Sequence, residues 1–294
     1  MKKCLVTLAA VLFISCRLFS QINDRFSVLN PDNLQAYAKP LATTLGTALN
    51  SGGYNSAKIS SFFGFSFSLR GMYVMIPDDQ KTFVPGNLPQ NYTSGPTATF
   101  YGDKGATYPG SNGYIAMPGG YNISSIPAGM PQIAVSFMGT EVMLRYLPSI
   151  KVGDSNQLNM FGIGIAHEIS QYFPLLPVDV AVQLLYNKIT LTNIVDCKSF
   201  AFNVHASKSF GIVTPYVGLQ YESSSFTASY TTTADPSSGD PYLRQAHKVS
   251  LTVDGDDSFR ATIGASFQLA VLVLNADYSV TSQPVATAGL SFEF

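Results

Sequence analysis

The chain has 294 residues, of which 46% are hydrophobic, 12% aromatic and only 12% charged, and its formal net charge is -1. Soluble globular domains average about 25% charged residues, and a chain without excess basic charge gives no reason to expect nucleic acid as a partner. Beyond the N-terminus no apolar run reaches the ~18 residues of a membrane-spanning helix. The composition therefore favours strands that face lipid on one side.

The first segment, residues 1–20, has the features of a secretory signal peptide that is cleaved after export across the inner membrane. Lys2 and Lys3 precede an apolar core, and Ser20 supplies a small residue before the cut. An alternative interpretation makes Cys16 the lipid-modified N-terminus of a lipoprotein. Either form predicts a protein that is exported towards the cell outer membrane.

Residues 21–58 form the next predicted unit, an N-terminal helical plug segment. Asn30 is a candidate N-cap, and Pro31 follows at the first helical position, where proline is favoured. Apolar side chains then recur at spacings of three and four residues, as on one face of a helix. They are Leu34, Tyr37, Leu41, Leu45 and Leu49. The helix is predicted to plug a barrel lumen; capping the periplasmic mouth and an ordered lead-in without a transport role are the alternatives.

Residues 59–294 alternate between apolar and polar residues, which predicts an antiparallel transmembrane β-barrel. The alternation fails from Pro77 to Pro131, where we predict an extracellular excursion with one short wall strand hidden near Asn112–Met117. It resumes over 133–148 with a change of phase at Gly139, for which we predict a β-bulge. Nine segments are recognisable, and an even strand number then gives about ten strands, within a range of eight to fourteen.

The C-terminal stretch, residues 259–294, has the clearest alternation and is predicted to close the wall with three strands. It ends with Phe292 and Phe294 on the apolar face. A terminal aromatic residue is expected in the interfacial girdle of an outer-membrane barrel, against outer-membrane lipid. We also predict that the barrel-assembly machinery contacts the chain through Phe294.

The polar faces of the strands carry most of the charged residues that the alternation assigns to the lumen. The candidates are Arg70, Glu141, Arg145, Glu168, Asp179, His205, Glu222, Arg260, Asp277 and Glu293. Charges on this face avoid lipid and can pair with each other. They either brace a filled lumen or line a polar constriction, and both hypotheses predict the same positions.

Metal and catalytic motifs have little support in the sequence. His167 and Glu168 begin a His-Glu-x-x-His zinc pattern, but Gln171 stands at its fifth position. His205 has no neighbouring carboxylate pair, and no nucleophile stands out. The acidic turn Asp254–Asp257 is interpreted as a plain turn rather than a calcium loop. We therefore expect no enzyme, no cofactor and no metal.

Five stretches carry a resemblance to a known family. They are Leu34–Leu41, Leu49–Lys58, Gly139–Pro148, Gly162–Ser170 and Asn275–Tyr278. They resemble uncharacterised outer-membrane proteins of Bacteroidetes, over most of the mature chain, and that family has no assigned function. The plan is more distantly similar to long-chain fatty-acid transport porins, in which a plug sits in a barrel that passes hydrophobic molecules.

Two functions follow as hypotheses from different classes. The first is a channel or transporter for small hydrophobic molecules, which would enter from the loops at Pro77–Pro131 and Thr231–Asp257 and leave through the lumen or a lateral gap past the plug. The alternative is a closed structural or surface-binding barrel without transport. An apolar pocket beside Leu34–Leu49 would favour the first, and a lumen filled by Arg/Glu pairs would favour the second.

Overall fold

The computed structural model describes residues 25–86, 88, 91–92, 94–110, 113–152, 156–191 and 195–294. The predicted signal peptide and Cys16 lie outside these residues, as does the beginning of the plug segment. Within the described ranges, no helix is both long and apolar enough to cross a membrane.

One long helix, α1 (Pro31–Leu49), precedes the strands. The Asn30 side chain accepts a hydrogen bond from the backbone N–H of Asn33 at 2.9 Å, and Pro31 occupies the first helical turn. This N-cap starts the helix where the sequence predicts it. The helix continues through Pro40 and ends at Asn50, which caps its C-terminus.

Of the fifteen strands in the described part of the chain, ten close into an antiparallel barrel, in agreement with the predicted fold class and strand number. The strands in chain order are β1 (Gly64–Met75), β2 (Thr82–Phe83), β3 (Thr97–Ala98), β4 (Thr107–Gly110), β5 (Gly113–Ala116), β6 (Ser125–Phe137), β7 (Thr140–Val152), β8 (Asn156–Glu168), β9 (Asp179–Leu191), β10 (Val195–Ser207), β11 (Val213–Thr231), β12 (Lys248–Asp254), β13 (Phe259–Leu269), β14 (Leu272–Val280) and β15 (Val285–Glu293). The order around the wall is β1, β6, β7, β8, β9, β10, β11, β13, β14 and β15, which returns to β1. β12 pairs with the second half of β11, in line with β13.

The two ends of the barrel differ in their connections. At one end, called the turn end, lie the connections β6–β7, β8–β9, β10–β11 and β13–β14, together with the C-terminal Phe294. The opposite, loop end carries the long connections 76–124 and 232–247. The described residues between Ile76 and Ser124 are called the lid.

Two predictions about the wall are wrong. Residues 133–148 are not one bulged strand: Met138 (φ 50°) and Gly139 (φ 70°) form a two-residue turn between β6 and β7, as in a type I′ hairpin. The strand near Asn112–Met117 is β5, which pairs only with β4 in the lid. A bulge and a tight turn both change the phase of an alternating pattern, so the alternation alone could not separate them.

The barrel is apolar outside, whereas its interior combines buried polar side chains with an apolar core around α1. Along β8, Phe161, Ile163 and Ile165 point outward and expose 46%, 46% and 48% of their surface. The alternate residues Gly162 and Gly164 face the buried interior. A continuous exposed apolar belt of this kind matches a wall that is solvated by lipid.

Candidate functional site

The N-terminal segment runs through the lumen from the loop end to the turn end. At the loop end, Arg25 Nη1 donates to the Gly119 carbonyl of the lid at 2.7 Å. Near the turn end, the Asn55 side chain donates to Glu293 Oε1 at 3.0 Å, and the Gly139 N–H donates to the Ser60 carbonyl at 3.0 Å. Helix α1 therefore lies inside the barrel and does not cap the mouth at the turn end.

Two inward arginines hold the C-terminal end of α1. Arg145 donates from Nη1 to the Leu49 carbonyl at 2.7 Å and from Nη2 to the Ser51 carbonyl at 3.0 Å. Arg260 donates from Nη2 to the Thr47 carbonyl at 3.0 Å and from Nη1 to the Ser51 hydroxyl. The last carbonyls of a helix have no intrahelical partner and form its negative end. The arginines therefore satisfy these carbonyls and fix the plug.

Acidic and amide side chains complete this layer. Glu222 forms an ion pair with Arg260 at 3.1 Å, and both side chains are almost fully buried. Gln220 donates to Glu222 Oε2 at 2.8 Å and to the Asn50 carbonyl at 3.3 Å. Arg145 Nε donates to Gln132 Oε1 at 3.1 Å. We call Gln132, Arg145, Gln220, Glu222 and Arg260 the polar floor, because they contact one another and the end of α1 within the lumen.

A polar cavity of about 140 Å³ lies between the polar floor and the turn end. Arg70, Glu141 and Glu293 line it, and Arg70 Nη1 also donates to the Asn275 side chain. Arg70 is buried, whereas Glu141 and Glu293 are half-buried. This cavity is lined by polar side chains from several strands and suits water better than an apolar ligand.

The remaining predicted lumen residues bind the segment after α1 or their neighbours. Glu168 accepts the Ile59 N–H at 2.8 Å, which ties the segment to β8. His205 stacks on Tyr54 with ring centroids 4.1 Å apart. Asp277 accepts a hydrogen bond from the Tyr216 hydroxyl at 2.9 Å. Asp179 lies half-buried at the start of β9. The structure thus spreads the ten predicted residues along the lumen and gathers only Arg145, Glu222 and Arg260 in the polar floor.

Buried phenols outside the strands are neutral hydrogen-bond donors. Burial raises the pKa of Tyr54 to about 12. Burial also raises the pKa of Tyr37, against the opposing charge of Arg25. The Tyr37 hydroxyl donates to the Gly119 carbonyl at 2.9 Å. This bond joins α1 to the lid and helps to close the loop end.

The motif that begins like a zinc site lies at the turn end. His167 contacts the Thr140 hydroxyl at 2.8 Å through Nδ1 and the Tyr172 hydroxyl at 3.0 Å through Nε2. Glu168 points instead to the plug segment. Within the described part of the chain, no group of three or more His, Cys, Asp or Glu side chains could hold a metal ion.

An apolar cavity of about 110 Å³ lies above the polar floor, between α1 and the wall strands β6 to β9. We call it the apolar chamber. Its lining includes Leu41, Leu45 and Leu49 from α1, Leu158 and Met160 from β8, and Phe100 from the lid. All its lining side chains are uncharged. The chamber therefore suits a small apolar molecule, and it adjoins the predicted plug residues.

The ladder between β6 and β7 ends beside this chamber. The ladder between β6 and β7 runs from Phe137↔Thr140 to Gln132↔Arg145 and stops there. Beyond that pair, Ser125–Pro131 of β6 still pairs with β1, and the continuation of β7 still pairs with β8. We call the two facing segments beyond the last ladder pair, Ser125–Pro131 and 146–152, the seam.

Two prolines give the physical reason for the seam. The Ile76 N–H donates to the Ser124 carbonyl at 2.9 Å, which makes these two residues a hydrogen-bonded pair of the β1–β6 register. Hydrogen-bonded pairs recur at every second residue of an antiparallel ladder. The backbone groups of even-numbered residues of β6 therefore bond to β1, and those of odd-numbered residues point towards β7. Pro127 and Pro131 are both odd-numbered and carry no N–H. Their missing donors lie on the side of β7, where a regular ladder would need backbone N–H groups.

Side chains on the two sides of the seam belong to the chamber. Ile126 and Ala128 of β6 and Leu147 of β7 line it, and all three are half-buried. Ala134, which faces inward on the paired half of β6, is only 6% exposed. Met130, the first inward residue of β6 beyond the ladder, is 5% exposed, so the half-buried inward residues of β6 begin at Ala128, further from the last pair.

The lid closes the same chamber towards the loop end. The Phe100 N–H donates to the Tyr37 carbonyl at 3.0 Å, and the two rings pack edge to face at 6.2 Å. The Arg25 guanidinium lies over the Tyr121 ring at 5.2 Å. Packed side chains of the lid therefore cover the chamber on the side of the loop end.

Sequence reasoning missed the seam and the chamber. It assigned Pro127 and Pro131 to a loop, although two prolines four residues apart fall on one edge of a strand. That spacing is the signal that could have indicated an unpaired edge. The sequence around Phe100 gave no such signal, because this lid residue packs on Tyr37 of α1, which is distant in the sequence.

A family model described as "Family of unknown function (DUF6588)" matches residues 1–294. No curated protein matches the chain. A loop-deletion mutant of OmpT, an outer membrane protein of Vibrio cholerae, is similar at 11% identity and a TM-score of 0.28, over 79% of this chain and 99% of that chain. Ail, the attachment invasion locus protein of Yersinia pestis, is similar at 9% identity and a TM-score of 0.20, over 79% of this chain and 99% of that chain. The outer membrane channel DcaP of Acinetobacter baumannii is similar at 9% identity and a TM-score of 0.22, over 82% of this chain and 100% of that chain.

Proposed function

The chain belongs to the DUF6588 family of unknown function, and we propose that it is an outer-membrane barrel that admits small hydrophobic molecules from the membrane through the seam. Its outward apolar belt supports a membrane location, because such a surface is costly in water. The observation that carries the proposal is that the β6–β7 ladder ends where an apolar chamber lies behind the wall.

Lateral access suits hydrophobic solutes for an energetic reason. A molecule dissolved in lipid reaches the chamber through the seam without returning to water, so no apolar surface has to be hydrated on the way. The outer face beside the seam stays apolar, as at Tyr73 of β1. A route through the loops would require passage under the lid, whose Phe100 packs on α1.

Onward release requires the polar floor to move. Gln132↔Arg145 is the last pair of the ladder, and Arg145 also holds the carbonyls of Leu49 and Ser51. One side chain thus joins the lower limit of the seam to the end of the plug. In this proposal a molecule in the chamber presses on Leu49, and displacement of the helix end connects the chamber to the polar cavity.

The second candidate is a closed structural barrel that conducts nothing. The buried Arg260–Glu222 pair and the bonds of Arg145 favour it, because they fill the middle of the lumen. The two candidates differ in the chamber: a purely structural barrel has no need of saturable binding there.

Binding can be measured with a tryptophan reporter, because the natural chain contains no Trp. Phe100→Trp places a reporter in the chamber, and Phe292→Trp places a control on the lipid-facing side. In nanodiscs, 1-bromohexane should quench the first reporter with a saturable component and the second only in proportion to its concentration in lipid. Ala128→Glu should remove the saturable component by placing a charge in the chamber.

Heat-modifiable gel mobility would establish that each variant is folded. If quenching of the Phe100→Trp reporter rises only linearly in a folded barrel, the chamber does not bind hydrophobic molecules. The structural candidate would then be preferred.

A further inference from the structure

We infer that the apolar chamber selects neutral molecules that carry one hydrogen-bond acceptor, and that the Tyr101 hydroxyl is the donor that recognises it. This inference rests on the proposed function, because it names the ligand class of the same chamber. It assigns a specificity-determining role to a lid residue that lies far in sequence from the helix and the wall.

The Tyr101 hydroxyl is the unsatisfied polar group of the chamber. Its side chain lines the chamber and is 0% exposed, and among the described residues its hydroxyl has no hydrogen-bond partner. The nearby Thr44 hydroxyl is directed as a donor towards the Pro40 carbonyl at 2.8 Å and Gln283 Oε1 at 2.7 Å, and it acts on the Tyr101 phenol without forming a hydrogen bond to it. A buried hydroxyl without a partner is costly, so a ligand with an acceptor gains a bond that an alkane cannot make.

The ligand should be neutral, because the chamber offers no charge to pair with an anion. Every lining side chain is uncharged. The nearest part of the polar floor, Arg145, already donates to Leu49, Ser51 and Gln132. Burial raises the pKa of Tyr101, so its phenol remains a donor at neutral pH. A carboxylate would lose its hydration without compensation.

The volume limits the size of the enclosed group. The chamber measures about 110 Å³, and a dry apolar cavity of about 150 Å³ accommodates benzene. A single ring therefore needs only a slight expansion of the chamber. A longer apolar chain would extend through the seam between Pro131 and Tyr146 into the membrane.

Three probes of similar size separate apolar contact, hydrogen bonding and charge. Toluene offers apolar contact alone, benzaldehyde adds a hydrogen-bond acceptor, and benzoate adds a negative charge. Full-length protein in lipid nanodiscs would be titrated while the methyl NMR signals of ¹³C-labelled methionines are followed. Met72, Met130 and Met160 line the chamber, and Met138 at the β6–β7 turn serves as an internal control. A saturable shift of the first three signals reports binding, whereas partition into lipid does not saturate.

We expect benzaldehyde to bind about tenfold more tightly than toluene, as one hydrogen bond implies, and benzoate to give no saturable shift. Tyr101→Phe should reduce the ratio of benzaldehyde affinity to toluene affinity to about one, without loss of toluene binding. Tyr108→Phe is the matched control: its hydroxyl donates to Gly95 within the lid and does not face the chamber, so the ratio should persist.

Three kinds of outcome would contradict the account, each in a different way. Equal binding of toluene and benzaldehyde in the natural protein, or an unchanged ratio in Tyr101→Phe, would refute the role of Tyr101 while hydrophobic binding stands. Saturable binding of benzoate would refute the requirement for a neutral ligand. Absence of saturable shifts with every probe would overturn the proposed function itself.

Discussion

The two halves of the β6–β7 contact show how one strand serves two purposes. On the turn-end half, from Phe137 to Gln132, the strands are paired and inward Ala134 is buried beside polar neighbours. On the loop-end half the same strand has no ladder pair with β7, and its inward residues line an apolar chamber. The same pair of neighbouring strands thus changes its backbone pairing along the barrel, without a change of strand number.

The largest change, in ion conductance, is expected from removing the plug helix that lies behind both halves of the β6–β7 contact. Deletion of Asn23–Tyr54 takes away α1 and the carbonyls held by Arg145 and Arg260. In planar bilayers the intact protein should be silent, and the deletion should conduct ions. Silence of both proteins, when gel mobility shows that both are folded, would mean that no water-filled path lies behind the plug.

The polar floor should dominate the stability of the paired half. Glu222→Ala leaves the Arg260 charge buried without its carboxylate, and breaking a buried pair in this way costs about 3–5 kcal/mol. Urea unfolding of the protein in lipid vesicles measures the loss. A decrease below about 1 kcal/mol would show that the floor does not hold the plug in place.

The seam should respond to restored backbone donors. The double variant Pro127→Val and Pro131→Val returns two N–H groups to the edge of β6 that faces β7. If the strands then pair, unfolding free energy should rise by about 1 kcal/mol per bond, and quenching of the Phe100→Trp reporter by 1-bromohexane should slow. Pro215→Val, on an already paired strand, is the control. Unchanged access after the double substitution would argue against the seam as the route.

The smallest effect is expected from the exposed ion pair near the loop end. Lys188 and Asp196 pair at 2.7 Å, but their side chains remain 40% and 34% exposed. Asp196→Ala should therefore change the unfolding free energy by less than about 1 kcal/mol. A loss as large as that of Glu222→Ala would show that burial does not distinguish the two pairs.

Much of the architecture was accessible from the sequence, because alternation and capping are local signals. The Asn30–Pro31 start of α1 and the alternation through Phe294 predicted the helix, the barrel and about ten strands. Gly139 was misassigned to a β-bulge because a bulge and a type I′ turn change the phase of the apolar/polar alternation in the same way. The polar floor could be anticipated only as a set of inward charges, since the choice of partners for Arg145 and Glu222 depends on strand register. The seam depends on which edge of β6 its prolines occupy, and only the register with β1 reveals that.

The most direct measurement compares spin labels at two inward alanines of β6, in a Cys197→Ser background. Ala128→Cys lies at the seam and Ala134→Cys lies where the ladder is intact. Collision rates with oxygen, which concentrates in the membrane, should be high at position 128, close to those of a lipid-facing label at Leu290→Cys, and much lower at position 134. Equal protection of the two alanines would contradict an opening between β6 and β7, and with it the lateral route.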